Sequence, residues 1–329
     1  MVALAKGRIL SGNRPTGKLH LGNFAGALAN WVKLQEDYEC LFMVADWHAL
    51  TTGYDDTSEL KEYTREMLID WISAGLDPEK SVIFRQSDVK EHAELHLLLS
   101  MITPLGWLER CPTYKEQLQQ LSGKEITNYG FLGYPVLMAS DILVYKADTV
   151  PVGEDQLPHL ELAREIARRF NYLYTPTFPE PQAKLSQVPL LPGVDGRKMS
   201  KSYGNTIALS DPPERVRELV NAMVTDPERI RKSDPGHPDV CTVYAYYKGL
   251  APEVLESRRE ECEGGQIGCV ACKRQLLKTL LDILGPIHER RHELAAQPGL
   301  VESILEQGAA KASPMAARTM AEVREAMRI

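Results

Sequence analysis

Two lysines, Lys198 and Lys201, stand three positions apart in the segment RKMSKSYGN, which directly follows the turn-rich stretch LPGVDG. The six positions from Arg197 to Ser202 contain three basic residues and two hydroxyl groups, which the packing of an apolar core does not require. Two ammonium groups on such a loop can reach one triphosphate and stabilise its negative charge. The pattern therefore predicts a site for nucleotide phosphates, with a solvated basic loop as the simpler alternative.

A second segment suited to phosphate follows the first apolar run, GRILSG. It reads SGNRPTGKLHLGN, and its last residues, His20, Gly22 and Asn23, open a predicted helix. The amino terminus of a helix offers unpaired N–H groups and a partial positive charge, and a glycine lets a phosphate approach the backbone. Neither GxGxxG nor a Walker loop follows this strand, so another phosphate site is needed. Taken alone, His20 and Asn23 are equally well explained as helix caps.

The elements that must position these segments follow a βαβ rhythm. Apolar runs (GRILSG, CLFMVAD, SVIFRQS) alternate with helical patterns, which predicts an α/β fold with a Rossmann-like, doubly wound parallel sheet. Ligands bind such sheets at the carboxyl ends of the strands, here after Leu10, Ala45 and Arg85. Strand signals fade after about Ser210. We expect a catalytic domain over 1–205 and a mostly helical domain over 206–329, whose C-terminal helix could pack back on the first.

Composition narrows the classes of protein to consider. The chain has 329 residues, 43% of them apolar, and a formal net charge of -7, so a polyanion must bind at a local basic patch. No run of about 18 apolar residues is present, and the first residues do not resemble a secretory signal. The sequence thus predicts a cytoplasmic protein without a membrane segment.

Taken together, the motifs resemble those of class I aminoacyl-tRNA synthetases. HLGN at 20–23 is similar to the first signature of that class, and KMSKS at 198–202 matches the second. The stretch YPVLMASDILVYKADTVPVGEDQ, from Tyr134 to Gln156, is similar to one in bacterial tryptophanyl-tRNA synthetases, as are VADWHALT and DPERIRKSDPG. The resemblance covers nearly the whole chain. It implies a homodimer that activates L-tryptophan with ATP and Mg²⁺, releases pyrophosphate, and transfers the aminoacyl group to tRNA(Trp), with the helical domain binding the anticodon.

The resemblance also implies roles for individual residues. Asp141 would accept the indole N–H, Tyr134 and Gln156 would hold the amino group, and Met138 and His48 would line the ring pocket. Lys198, Lys201 and His20 would be catalytic. The implied ATP-binding residues are Arg14, Pro15, Thr16, Gly22, Asn23, Gly153, Glu154, Asp155, Leu190, Lys198, Met199, Ser200, Lys201 and Ser202.

Two departures and one alternative qualify these roles. Many family members have glutamine where Arg14 stands, and lysine where Gln117 stands. Without the resemblance, Asp141 would more simply be a structural carboxylate, either capping or ion-paired, inside an apolar helix.

Four of the six cysteines, Cys241, Cys262, Cys269 and Cys272, form the pattern C-x20-C-x6-C-x2-C. Thiolates two residues apart before a helix can share one metal. A subset of bacterial tryptophanyl-tRNA synthetases has a similar pattern in the helical domain, which implies a four-iron, four-sulfur (4Fe-4S) cluster. A Zn²⁺ site and free thiols remain alternatives.

Two other functions remain open from the sequence. A tyrosyl-tRNA synthetase has the same fold and signatures. An auxiliary paralogue could instead bind a partner protein or sense tryptophan, although the intact KMSKS segment and Asp141 favour catalysis.

Overall fold

The computed structural model describes residues 6–112, 114–115, 128–185, 190–199 and 203–329. These residues form a parallel sheet of five strands in the order β3-β2-β1-β4-β5. The strands are β1 (Arg8–Asn13), β2 (Glu39–Val44), β3 (Ser81–Arg85), β4 (Thr149–Val152) and β5 (Gln182–Leu185). The prediction of a doubly wound parallel sheet is confirmed by this topology.

The strand order explains where the functional segments meet. Strand β1 pairs with both β2 and β4, so the direction of winding reverses between β1 and β4. The loops after these two strands begin at residues 14 and 153, and they open at the same, carboxyl edge of the sheet. In doubly wound folds this reversal point is where ligands bind.

Helices cover both faces of the sheet, which is why β2 has almost no exposed residue. The first half contains α1 (Leu21–Asn23), a π-helical turn (Phe24–Leu28), α2 (Ala29–Leu34), α3 (Asp46–Gly53), α4 (Leu60–Ser73), α5 (Glu91–Ser100), α6 (Leu105–Glu109), α7 (Tyr129–Val144) and α8 (Leu157–Leu173). On one face, Trp31 stacks on Phe42 at 4.8 Å and meets Trp71 edge-on at 5.3 Å between ring centroids.

The π-helical turn is a difference from the sequence-based expectation. The segment from Phe24 was predicted to be a regular amphipathic helix, but Phe24–Leu28 is wound more widely before α2 resumes the α-helical form. Such turns are frequent next to functional sites, and this one follows the HLGN segment directly.

After residue 206 the described residues are helical, as the sequence predicted. The helices are α9 (Pro213–Ala222), α10 (Thr242–Leu250), α11 (Leu255–Glu263), α12 (Cys269–Ala295) and α13 (Leu300–Met327). Helix α12 packs against α4, where Arg291 forms ion pairs with Glu66 (2.6 Å) and with buried Asp70. The described residues include no helix long and apolar enough to span a membrane.

The C-terminal helix α13 lies directly on the sheet. It packs against β3, and its Gly308 is so close to the backbone of Ile83 that no Cβ fits there. Further along α13, its buried face packs in one core with residues of α5 and α7. Arg324 also forms an ion pair with Glu94 of α5 (2.6 Å).

Candidate functional site

The two signature segments are in contact. A Cβ built on Gly22 would lie 3.0 Å from Met199 Sδ and 3.0 Å from His20 Nδ1, so a larger residue would press against both side chains. The segment that follows KMSKS also lines the first loop, because Leu21 N donates to Ile207 O (2.9 Å) and Leu209 N donates to Leu19 O (2.9 Å). The structure thus brings together segments that are about 180 residues apart in sequence.

His20 and Asn23 cap the helix that they open. His20 Nδ1 accepts from Asn23 N (3.3 Å), and Asn23 Oδ1 accepts from His20 N (3.1 Å). This reciprocal pair is a capping box, the alternative that the sequence left open. The pair fixes one ring nitrogen and one amide oxygen and leaves Asn23 Nδ2 as a donor for a ligand.

Lys198 begins the described part of the KMSKS loop. Its backbone pairs with Pro192, and its carbonyl accepts from Asn205 Nδ2 (3.2 Å), while its side chain is exposed. No described acidic residue forms an ion pair with the Lys198 ammonium. Ser200, Lys201, Ser202 and Gln117 lie outside the described residues.

The loop after β1 lies near the side chains expected to hold the amino acid. Thr16 N donates to Arg14 O (2.9 Å), and Pro15 between them is buried. Although part of Arg14 is accessible to solvent, burial lowers its pKa, and burial raises the pKa of Tyr134. Arg14 and Tyr134 are close enough that each partly offsets the shift of the other.

The GEDQ segment follows β4 at the same edge of the sheet. Gly153 is extended, and Glu154–Gln156 form one turn of 3-10 helix that leads into α8. Glu154 and Asp155 are exposed, and Gln156 is half-buried. Leu190, expected against the adenine, is 84% exposed and so has apolar surface to offer a ligand.

Asp141 lies in α7 with only 2% of its surface exposed. Its Oδ1 accepts from Gln86 Nε2 (2.8 Å) and His92 Nδ1 (2.6 Å), and its Oδ2 accepts from His48 Nε2 (2.7 Å). Burial acts to raise the pKa of Asp141, but hydrogen bonds from His48 and His92 and their electrostatic field outweigh it and lower the pKa. Asp141 is therefore an ionised carboxylate in a buried position.

Ionisation of Asp141 fixes the protons on its partners. An ionised carboxylate can only accept, so His48 Nε2 and His92 Nδ1 both carry hydrogens. The other nitrogen of His92 then accepts from Tyr145 O–H, at 2.8 Å. Burial raises the pKa of Tyr145, which keeps this hydroxyl protonated.

Three further residues named from the sequence surround Asp141. Half-buried Met138 lies in α7 about one helical turn before Asp141, and Tyr134 lies about two turns before it. His48, in α3, is largely enclosed. Beside them a cavity of about 500 Å³ opens between α3, α5 and α7, and its lining includes Trp47, Thr51, His96, Gly133 and Leu137.

The sequence analysis missed three residues of this site: Gln86, His92 and His159. Gln86 and His92 follow β3, in the loop region where ligand contacts were expected after Arg85. His159 lies in the first turn of α8 and is bonded to Tyr134 O–H (2.6 Å) and Gln156 Oε1 (3.1 Å). Their position at strand ends and helix starts was the available signal.

The four patterned cysteines approach one another at the start of α12. Burial raises the pKa of Cys272 to about 12, and Cys241, Cys262 and Cys269 each raise it further through electrostatic repulsion. The thiols are thus within electrostatic reach of one another. Within the described ranges, however, no three Cys, His, Asp or Glu side chains are grouped closely enough to hold a metal ion.

Comparison with known proteins agrees with this geometry. Residues 4–285 match the family of tRNA synthetases class I (W and Y). The tryptophan–tRNA ligase of Thermotoga maritima is 56% identical over 325 residues, which cover 98% of this chain and 99% of the relative. That of Aquifex aeolicus is 47% identical, covering 98% and 100%.

A solved structure supports the same assignment. Tryptophanyl-tRNA synthetase from Campylobacter jejuni, complexed with ADP and tryptophan, superimposes with a TM-score of 0.86 at 34% identity, covering 98% of this chain and all of that one. The chain therefore belongs to the class I tRNA synthetases for tryptophan and tyrosine and, within them, to the bacterial tryptophan–tRNA ligases.

Proposed function

We propose that this chain joins L-tryptophan to tRNA(Trp) at the carboxyl edge of the sheet, through tryptophanyl-adenylate, with the residues named above. The observation that carries the proposal is the ionised, buried Asp141, held by hydrogen bonds from Gln86, His48 and His92. A buried anion needs compensating donors, and a ligand that brings one more donor is favoured over one that brings none.

Asp141 can recognise the indole N–H. Each carboxylate oxygen can accept about two hydrogen bonds, and Oδ2 accepts only from His48 among the described residues. That oxygen therefore retains a lone pair for the ligand. Phenylalanine would leave it unused, while Met138 and His48 would enclose the ring. Tyr134 and Gln156 would hold the amino group.

The nucleotide would bind across the contact of Gly22 with Met199. Lys198 and Lys201 would neutralise the β- and γ-phosphates, His20 and the helix end would face the phosphates, and Mg²⁺ would bridge phosphate oxygens. The remaining ATP contacts named from the sequence would surround the base and ribose from the loops after β1 and β4. The exposed side chain of Leu190 would cover the adenine.

In the first step the tryptophan carboxylate attacks the α-phosphorus and pyrophosphate leaves. In the second, a terminal ribose hydroxyl of the tRNA attacks the aminoacyl carbonyl, and AMP leaves. Neither step requires a strong acid or base from the protein. Positioning of the two substrates and stabilisation of the phosphate charge by lysines would supply most of the rate enhancement.

The larger assembly belongs to the same proposal. Residues 1–205 would form the catalytic domain and 206–329 the anticodon-binding domain of a cytoplasmic homodimer. Exposed apolar side chains at the end of α5 and the start of α6, namely Leu97 (55%), Met101 (67%) and Leu105 (57%), support a surface that a second copy covers. A tRNA would then contact both subunits.

The cysteine pattern supports a metal centre as part of the anticodon-binding domain. Four thiols, one at the N-cap of α10 and the others on α11 and α12, suit a 4Fe-4S cluster, with Zn²⁺ as the alternative, because both prefer thiolate ligands. When bound, the cation would reverse the repulsion that raises the pKa of Cys272 and hold the three helices together. Aminoacylation needs no electron transfer, so the centre would be structural.

Pyrophosphate exchange with each amino acid tests the function. Tryptophan should be the substrate, and exchange that depended on tyrosine would replace this assignment with the sibling activity. We expect Asp141→Ala to raise the KM for tryptophan more than it lowers kcat, and Lys201→Ala to do the reverse. Equal effects in both variants would contradict the roles given to these residues.

The metal centre has a separate test. Protein purified without oxygen should contain about four iron and four sulfide per chain and absorb near 400 nm. One zinc per chain would select the alternative, and a colourless, metal-free preparation would reject both.

An auxiliary role would be indicated if this gene alone failed to support growth while extracts yielded a stable protein partner.

A further inference from the structure

A chain of hydrogen bonds that reaches the surface at Asp155 connects the two residues expected to hold the amino group. Tyr134 O–H lies 2.6 Å from His159 Nε2, His159 Nδ1 lies 3.1 Å from Gln156 Oε1, and Gln156 Nε2 donates to Asp155 Oδ2 at 2.9 Å. His159 is 2% exposed and stands at the centre of this chain, between α7 and α8. The proposed reaction gives it no role.

We propose that His159 is a positioning residue that fixes Tyr134 and Gln156 as hydrogen-bond acceptors for the α-ammonium group of L-tryptophan. The proposal rests on the proposed function, in which Tyr134 and Gln156 hold that group. It adds a residue that does not touch the substrate but decides which way two contacting groups point.

The direction of each hydrogen bond follows from Asp155. An ionised carboxylate only accepts, so the Gln156 NH₂ group faces Asp155 and the Gln156 oxygen faces His159. His159 Nδ1 must therefore carry the hydrogen. In a neutral ring the other nitrogen then accepts, so Tyr134 donates its hydroxyl hydrogen to Nε2.

This arrangement leaves lone pairs for the ligand. An ammonium group has three donors and no acceptor, so its partners must present oxygen lone pairs. With its hydrogen committed to His159, the Tyr134 oxygen can only accept from a ligand, and Gln156 Oε1 keeps a second lone pair. In the opposite tautomer, His159 Nε2 would carry the hydrogen and the hydroxyl hydrogen of Tyr134 would point toward the ligand. The hydroxyl group and the ammonium group, both donors, would then face each other.

The surroundings keep His159 in the neutral form that this direction requires. Burial and, to a smaller extent, the field of His48 lower its pKa to about 4, although Asp155 acts in the opposite direction. Burial also raises the pKa of Tyr134, so its hydroxyl remains a donor to the ring. The chain of contacts is therefore built to present acceptors at neutral pH.

The test compares L-tryptophan with indole-3-propionate, which has the ring and carboxylate but no amino group. His159→Leu removes both hydrogen bonds at similar volume. We expect it to weaken L-tryptophan about tenfold or more and indole-3-propionate less than about twofold, since only the first loses a hydrogen bond to a charged group. KM for tryptophan, Ki for the analogue and KM for ATP would be measured by pyrophosphate exchange, and KM for ATP should not change.

Two further variants separate positioning from structure. His159→Gln offers an oxygen near the place of Nε2 and should recover part of the preference for the amino group. Leu160→Ala, fully buried on the same helix, should lower thermal stability without changing that preference. Because the ratio of the two affinities is measured within each variant, partial unfolding does not alter it.

The proposal is wrong if His159→Leu and His159→Gln weaken L-tryptophan and indole-3-propionate equally, so that the ratio of the two affinities stays at the wild-type value. Wild-type protein serves as the reference in the same assay. If it showed no tryptophan-dependent exchange, the proposed function would fail with it. A wild type that exchanges, with variants that keep the preference, rejects the role of His159 alone.

Discussion

At the scale of the residue, the site depends on a charge that is kept ionised by its partners. Asp141 is shielded from water, and burial alone would favour the protonated acid. Hydrogen bonds from His48 and His92 and their electrostatic field reverse this preference. The proposed recognition of an indole N–H needs the acceptor in its charged form, so in this proposal the two histidines contribute to specificity together with Asp141.

Loss of His92 should make tryptophan binding sensitive to acid. In the wild type the lowered pKa keeps Asp141 ionised, so the KM for tryptophan should be flat from about pH 5.5 to about pH 8. In His92→Leu burial dominates and the pKa rises. The KM should then increase as pH falls through the raised value, and recover at higher pH.

Tyr145→Phe is the matched control for this experiment. It removes only the hydroxyl that is bonded to His92 Nε2 and leaves all three donors to Asp141 in place. Its KM profile should stay flat, with a uniform increase of about fivefold at most, as expected for one neutral hydrogen bond. An acid-sensitive profile in both variants, or in neither, would contradict the explanation.

Only part of this site could be predicted from the sequence. The resemblance pointed to Asp141, Tyr134 and Gln156 because they lie within one continuous stretch. His92 lies 49 residues from Asp141, and nothing local to it indicates that partner. His159 lies three residues beyond GEDQ, but its ring looks like an ordinary buried histidine until Tyr134, from another helix, is placed against it.

At the scale of the element, strands β1, β2 and β3 and most helices followed from the sequence pattern, and the capping of α1 from residue type, whereas β4 and β5 were not predicted. The sequence allowed the C-terminal helix to pack back on the first domain, but its periodicity did not reveal why the buried face of α13 includes the small residues Gly308, Ala312 and Ala316. They are small because the helix backbone approaches β3 closely. The need for small residues can be recognised only in the folded protein, where α13 lies against the edge strand β3.

Gly308→Ala should therefore destabilise the protein far more than helix propensity suggests. A Cβ at this position would collide with backbone atoms of Ile83, which cannot rotate away, so α13 must shift and open a core cavity. We expect a loss of about 2 to 4 kcal/mol in the free energy of unfolding, measured in urea.

Gly285→Ala supplies the comparison. Gly285 lies inside α12 with nothing within 4 Å of a Cβ built on it. The same chemical change should here alter stability by less than about 1 kcal/mol, because the better helix propensity of alanine is offset by Pro286, which disfavours a Cβ on the helical residue before it. Two substitutions with equal effects would show that α13 does not depend on close approach to β3.

Stability should also depend on pH through Asp70, which joins α4 to α12. Burial raises its pKa to about 6, although the nearby Arg291 acts to lower it. A raised pKa in the folded state means that stability present at low pH is lost as pH rises through about 6. Relative to Asp70→Asn, the wild type should lose about 1 kcal/mol between about pH 5 and about pH 7.5.

Differential scanning calorimetry of both proteins at each pH gives this comparison directly. Groups other than Asp70 titrate in both, so their contributions cancel in the difference. A difference that stays constant, or that grows in favour of the wild type as pH rises, would show that the ion pair with Arg291 controls the ionisation of Asp70 more strongly than burial does.

At the scale of the whole molecule, helix α12 runs from the patterned cysteines to the residues that contact α4 and the segment after KMSKS. Its 27 residues span about 40 Å, and about 33 Å of helix separate Cys269 from Arg291, which contacts Asp70. Between them, His288 Nε2 donates to Leu209 O (2.9 Å), and Leu209 N donates to Leu19 O beside the first signature. The start of α12, at the patterned cysteines, therefore has a continuous route of contacts to the loop after β1.

The quaternary structure gives the last prediction. Leu97 and Met101 lie one helical turn apart on the same exposed side of α5, so Leu97→Glu with Met101→Glu would place four like charges in a twofold interface. Sedimentation should give a dimer for the wild type and a monomer for the double variant. Tyr172→Glu, equally drastic at a residue 88% exposed elsewhere, should remain dimeric.

The two reactions should respond differently to that loss of partner. If tRNA reaches across both subunits, aminoacylation by the monomer should fall by at least about tenfold, because a charged polymer loses part of its binding surface. Tryptophan-dependent pyrophosphate exchange uses one subunit's site and should fall less. A double variant that stays dimeric would move the interface to another surface, and a monomer with full aminoacylation would confine the tRNA to a single chain.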